Sequence, residues 1–296
     1  MYVLCQYLAA AQTPFYSAKI PSMHTFAIST TIVRPHDDLL FIIDQAIAAD
    51  SRLQGKLPEG SVLAISSKII SYCQGRLVRK TRSEAQGFSK EEARAEKHAL
   101  VAQEADLYLD PDSSQYNLML TIKNSTLAVN AGIDESNANL DREECFVLWP
   151  EQMQEILNQV WRHCRAKYKL QNFGVITTDS RTFPLRWGVV GTTLAYCGFK
   201  GLNNHIGERD IFGREILMEQ VNVAEALGVT ATFMMGEIAE TTPLAVISEL
   251  NKVQFVDHEP TAAELATGYI DIADDVYAPL LAKATWHKGG GTYGDK

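Results

Sequence analysis

Four side chains define the chemistry this chain could do. Asp134 stands in NAGIDESN (Asn130 to Asn137), Asp179 and Ser180 in GVITTDS, and Glu237 in MGE. Each follows an apolar run and has Gly, Ser or Thr close by. Acids placed at the ends of elements can converge on one site while the elements behind them form a rigid scaffold. Oxygen donors of this sort suit hard divalent cations such as magnesium or manganese, which take few carboxylates together with substrate phosphates. The competing reading is a set of separate turns and caps, because Gly132 accepts positive φ and Asx side chains close local backbone hydrogen bonds.

A second group is basic and glycine-rich: Arg186, Gly188, Gly191, Gly207, Arg209, Gly213 and Arg214. Glycine permits close backbone approach and arginine grips phosphate or carboxylate in a fork. The same composition also builds subunit interfaces and ordinary turns. Other motifs are absent: no Walker loop, no G-x-S-x-G elbow, no H-E-x-x-H and no dinucleotide G-x-G-x-x-G. None of the seven histidines pairs with another at metal spacing.

The elements that must position these groups alternate without a regular β-α-β rhythm, which predicts an α+β fold. Strands are expected over Phe26 to Val33, Ser61 to Ile70, Phe173 to Asp179 and Pro243 to Ser248, and a hairpin over NLMLTIKNSTLAVN. Helical spacing covers Asp37 to Ser51, with acids in its first turn. Ser89 and Glu92 form a capping-box signature for the next helix, and Pro150 suits the first turn of another. Pro184 to Gly213 shows no clear period. Glu215 to Met235 alternates and then turns helical, and HKGGGTYGDK at the end reads as a frayed tail.

The 296 residues suffice for a substantial core, and 46% hydrophobic with 21% charged residues reads as a soluble globular protein. A net charge of -9 argues against nucleic acid, whose binders neutralise phosphates with Lys and Arg. Cys5, Cys73, Cys145, Cys164 and Cys197 form no C-x-x-C pair and fit a reducing compartment. The N-terminus lacks a basic n-region, and no run approaches the roughly 18 apolar residues of a membrane span, so a cytoplasmic protein is expected.

The motifs SVLAISSKIIS..QGR, NAGIDESN, GVITTDS...PLR.GVVG, GERDIFGRE and MGE, in this order and spacing, resemble the coenzyme F-420-0:L-glutamate ligase family, the GTP-dependent γ-glutamyl ligases. The resemblance covers residues 26–250, between an N-terminal extension (1–25) and a C-terminal extension (251–296). Met23 is an alternative start, in which case the residues ahead of it carry no function. The resemblance implies an α+β homodimer that forms an amide between an acceptor carboxylate and L-glutamate through an acyl phosphate made from GTP. It places divalent-metal ligands at Asp134, Asp179, Ser180 and Glu237, with Asp134 and Asp179 as the catalytic pair. It implies two magnesium or manganese ions, with potassium as a further candidate. It assigns nucleotide contacts to Thr30, Thr31, Ile32 and Val33, to Ser67 and Lys68, and to Asn137, and has the loop from Met235 and Gly236 to Pro243 close over the nucleotide.

The chain departs from the family at several places. Tyr72 replaces the lysine of an S-K-A-E-G-R segment, and Ser29-Thr30-Thr31 replaces a G-I/L-P element. IAETTP replaces a glycine-rich loop, and Arg186-Trp187 a double arginine. These changes leave the metal ligands in place and alter nucleotide and acceptor contacts, so a folate-like acid joins F-420-0 as a candidate acceptor, either a pterin-like or a deazaflavin-like acid. A metal-dependent phosphohydrolase and a non-catalytic nucleotide-binding dimer are the other readings of the same residues.

Overall fold

The structure, a computed structural model, describes residues 22–141 and 143–291. Most of the N-terminal extension, Cys5 and the last residues of the tail lie outside the described residues.

The run Ser61–Ser66 is apolar on both faces because it is central to a five-stranded sheet covered on both sides. The strand order is His24–Ile28, Leu244–Ser248, Ser61–Ser66, Phe173–Thr182, Val189–Cys197. Ser61–Ser66 runs parallel to Phe173–Thr182, and the other three pairings are antiparallel. Successive side chains point to opposite faces, so Leu63 and Ile65 enter one core and Val62 and Ala64 the other. The first core is closed by helices α1 (Leu39–Ala49) and α4 (Met153–Tyr168), through Ile43, Ile47, Leu157 and Val160. The second is closed by α5 (Val223–Met235) through Leu227 and Ala231.

A smaller layer carries the NAGIDESN turn. The hairpin Leu120–Lys123 and Thr126–Val129 turns through Asn124 and Ser125, both at positive φ. The strands Leu77–Arg79 and Glu143–Val147 and helix α3 (Lys90–Glu104) share a core of Val101, Met119, Ile133, Phe146 and Leu148, with Val78 packed against it. Ser89 and Glu92 form the expected capping box on α3. This is the expected α+β class.

Several expected boundaries are corrected. The strand begun near Phe26 ends at Ile28, and Ser29 to Val33 run as irregular chain. Ser61 to Ile70 is not one strand: the chain turns into helix α2 (Ser67–Gln74), closed by left-handed Gly75. Asp38 is the N-cap of α1, accepting from the amides of Leu40 and Phe41, rather than a first-turn acid. Pro150 lies ahead of α4, whose N-cap is Gln152. Phe173 to Asp179 continues to Thr182, and the stretch without clear period contains the nine-residue strand Val189–Cys197. The tail is ordered as far as it is described. His287–Lys288 pair with Leu107–Tyr108, and the amides of Gly290 and Gly291 bond the carbonyls of Ala102 and Ala105 at the end of α3.

Candidate active site

The strand Thr126–Val129 ends in three consecutive left-handed residues, with φ of 53° at Asn130, 53° at Ala131 and 72° at Gly132. A non-glycine residue there costs roughly 1–2 kcal/mol, so the turn persists only because its surroundings hold it. Asn130 Oδ1 accepts from the Met119 amide at 3.0 Å, Thr121 Oγ1 accepts from the Ala131 amide at 2.9 Å, and Ala131 is fully buried. Gly132 is required for space as well as φ, since a Cβ there would lie 2.1 Å from the Trp149 indole. The turn delivers Asp134, whose backbone pairs with Val147.

Asp134 Oδ1 accepts from the amides of Glu135 (2.6 Å) and Ser136 (2.8 Å), and Oδ2 pairs with Lys68 Nζ at 2.6 Å. Burial alone would raise its pKa, but the Lys68 ammonium and the Ser136 donors hold this carboxyl below the usual range. Lys68 arrives from the first turn of α2. The parallel register Ser66 with Thr178 sets that turn beside Asp179 on the neighbouring strand.

Asp179 accepts from the Ser180 amide at 2.8 Å and from Trp149 Nε1. Its pKa is pushed up to about 6, chiefly by burial and further by Asp134, against the opposing pull of Ser180, Trp149 and Lys68. Ser180 Oγ donates to the Glu237 carboxylate, 2.7 and 2.8 Å from its two oxygens. Glu237 is carried past α5 by Gly236, at φ 80° and ψ 169°, a conformation open essentially to glycine.

Asp134, Asp179, Ser180 and Glu237 all line one cleft of about 1420 Å³. The same cleft is lined by Thr30, Thr31, Ile32, Val33, Ser67, Lys68, Asn137, Met235, Gly236 and Pro243. The residues that the resemblance assigns to metal and nucleotide thus all line the same cleft. The loop after α5 is tied across it: the Asn137 side chain donates to the Ile238 carbonyl, and the Thr30 amide bonds the Thr241 carbonyl at 3.3 Å. Tyr72 sits beneath the turn, its hydroxyl accepting from the Asn139 amide at 3.0 Å.

The basic, glycine-rich group does not join the cleft. Gly191 is a packing position, where a Cβ would lie 2.5 Å from the Gly228 carbonyl of α5. Arg209 bonds the Gly213 carbonyl within the arm from Leu202 to Asn222, and Arg186 bonds the Leu185 carbonyl. Trp149, which orients Asp179, belongs to none of the sequence motifs. Its only signal there is an aromatic residue between a strand and Pro150.

Among the described residues, no three His, Cys, Asp or Glu side chains stand close enough together to form a metal cluster as they are. The donor chemistry nonetheless fits a hard cation. All four expected ligands present oxygen, Asp134 raises the pKa of Asp179 by repulsion, and Lys68 is the cation that acts on both acids. An added positive charge would relieve that repulsion.

A mixed sheet covered by helices on both faces, with an oxygen-lined cleft at its strand ends, marks an α+β enzyme. The F420-0:Gamma-glutamyl ligase family matches residues 27–249. The chain belongs to that family, and it is an enzyme of the ligase class. Similar proteins include the coenzyme F420:L-glutamate ligase of Methanopyrus kandleri, 29% identical over 74% of this chain and 83% of its own length. Those of Archaeoglobus fulgidus (28%, covering 74% and 84%) and Halorubrum lacusprofundi (27%, covering 77% and 86%) carry the same name.

Proposed function

We propose that this enzyme joins L-glutamate to the carboxylate of an acceptor acid, driven by GTP, with divalent ions held by Asp134, Asp179, Ser180 and Glu237. The observation that carries this reading is the convergence of those oxygen donors, Lys68 and the loop at 235–243 on one cleft, in a chain of this family. An acceptor carboxylate oxygen attacks the γ-phosphorus of GTP, and the bond to the GDP oxygen breaks. The free amine of glutamate then attacks the acyl carbon, the C–O bond to phosphate breaks, and the amine proton passes to water.

The chain's own groups hold the anions in place. Lys68 presents its ammonium to the phosphates, the irregular chain from Thr30 to Val33 flanks the nucleotide, and the Asn137–Ile238 bond keeps the loop over it. Magnesium or manganese, when bound, offsets charge as the phosphoryl group moves. The similar proteins named for coenzyme F420 support a deazaflavin-like acceptor, while Tyr72 and the IAETTP loop support a branch that takes a folate-like acid.

A homodimer is supported by the exposed apolar side chains of the arm, with Ile211 92%, Phe212 79% and Met218 87% exposed. A cytoplasmic setting is supported by the free thiols of Cys73, Cys145, Cys164 and Cys197. Among the described residues no helix is long and apolar enough to cross a membrane.

The test incubates the protein with GTP, magnesium or manganese, glutamate and a panel of pterin-like and deazaflavin-like acids. Glutamate-dependent GDP release is expected, with a glutamyl mass added to one acid. Asp134→Ala and Asp179→Ala should each lower the rate by at least about a hundredfold. Full ligation by Asp179→Ala would overturn the site, and phosphate release independent of glutamate would make the protein a phosphohydrolase.

A further inference from the structure

A second cavity, of about 410 Å³, adjoins the cleft and shares Lys80, Glu135 and Glu144 with it. Its lining carries Lys80, Arg82, Lys90, Arg94 and Lys97. Against these five cations stand three acids, Glu84 besides the two shared ones, in a chain whose net charge is -9. Lys90, Arg94 and Lys97 lie at helical spacing on one face of α3, and like charges so placed weaken a helix unless an anion meets them.

The cavity already holds one carboxylate. Glu135 bridges Lys80 at 2.6 Å and Lys97 at 2.5 Å, Lys80 also reaches Glu144 at 3.7 Å, and Arg82 stands close enough to Glu92 and Glu96 to act on their charge, while Lys90 and Arg94 form no salt bridge among the described residues. That carboxylate ends a –CH2–CH2–COO⁻ side chain, the same unit that glutamate would present in an amide product. Glutamate ligation consumes one carboxylate and brings in two, so each product carries one more negative charge than its acceptor.

We infer that this basic cavity seats the carboxylates of a γ-linked glutamyl tail on the acceptor or product, beside the cleft where the amide forms. The inference rests on the ligase reading. A tail held there keeps its terminal carboxylate near the cleft for a further round. The shared wall of Lys80 and Glu135 is where tail and reacting end would meet.

The test measures binding of γ-linked triglutamate to the full chain by titration calorimetry at low salt. Wild type is compared with the triple variant Arg82→Ala, Lys90→Ala, Arg94→Ala, whose positions are exposed and lie outside the cleft. Removing three exposed cations should weaken binding by about tenfold or more, with a shallower salt dependence and unchanged affinity for GTP. Equal affinity in the two proteins, no binding to wild type, or tighter binding of tripolyphosphate than of triglutamate would each overturn the assignment. A chain that binds triglutamate through these residues but ligates nothing would keep the cavity and remove the ligase reading. Ligation with triglutamate affinity unmoved by the triple variant would do the reverse.

Discussion

Gly132→Ala should be far more damaging than glycine substitutions at equally left-handed turns elsewhere. Gly60 has φ +70° and nothing within 4 Å of an added Cβ, so Gly60→Ala meets only the backbone penalty of roughly 1–2 kcal/mol. Gly132 has φ +72° and the same penalty, but its added Cβ would lie 2.1 Å from both Cε2 and Nε1 of Trp149. A normal contact needs more than an ångström of extra separation, and Trp149 is packed at 4% exposure. Overpacking of this kind costs about 1–3 kcal/mol. Moving the indole also removes its hydrogen bond to Asp179, worth about 1.5–3 kcal/mol for a charged acceptor. The total for Gly132→Ala is therefore about 4 kcal/mol or more, against about 1–2 for Gly60→Ala. Urea unfolding of the two variants and wild type reads this difference directly. Displacement of Asp179 by an ångström should also lower ligation about a hundredfold in Gly132→Ala and leave Gly60→Ala active. Equal midpoints and equal activity for the two variants would refute the claim that the Gly132–Trp149 contact holds the site.

Asp44 joins α1 to α4 by accepting from Tyr168 at 2.7 Å and pairing with Lys167 at 2.8 Å and His163 at 2.9 Å, so Asp44→Ala should cost about 2–3 kcal/mol in urea unfolding. Burial raises the Asp44 pKa, but Lys167, Tyr168 and His163 bring it below 3.8, so its stabilising charge is present above that value and lost as the pH falls below it. Wild type should therefore lose more stability than Asp44→Asn as the pH falls from neutral to below 3.8, measured as urea midpoints. If the proposed GTP-driven reaction holds, Asn137→Ala, which removes the bond from the NAGIDESN turn to the Ile238 carbonyl, should raise the KM for GTP by about tenfold while kcat changes little, checked by steady-state kinetics. Tyr72→Phe deletes a hydroxyl that accepts from the Asn139 amide, which predicts a loss of about 1 kcal/mol in thermal or urea unfolding.

Local grammar made some elements legible. Ser89 and Glu92 announced their capping box, the Lys123-Asn124-Ser125 stretch its hairpin turn, and SVLAIS the first part of a strand. The glycine before Glu237 also read correctly as the end of a helix. Boundaries failed where a helix followed a strand without a break in apolar character. Ile69 and Ile70 face the core from α2 as readily as they would from a strand, so nothing in SSKII marks the change at Ser67. Val189–Cys197 has no legible period because its pattern is broken by Gly191, which admits α5, and by a register shift between Thr193 and Ala195.

The sequence by itself determined which residue types were available for anion and metal chemistry, in what order, and hence the family to which the chain belongs. Those are properties of neighbours along the chain, and a short window contains them. Only the tertiary structure decided that Lys68 meets Asp134, that Trp149 orients Asp179, and that Lys80 and Lys97 clasp Glu135 beside the cleft. Each of those meetings depends on strand register and helix placement between segments tens of residues apart. A shift of one residue in the pairing of Ser66 with Thr178 would send Asp179 to the other face of the sheet and leave the oxygen donors on separate surfaces.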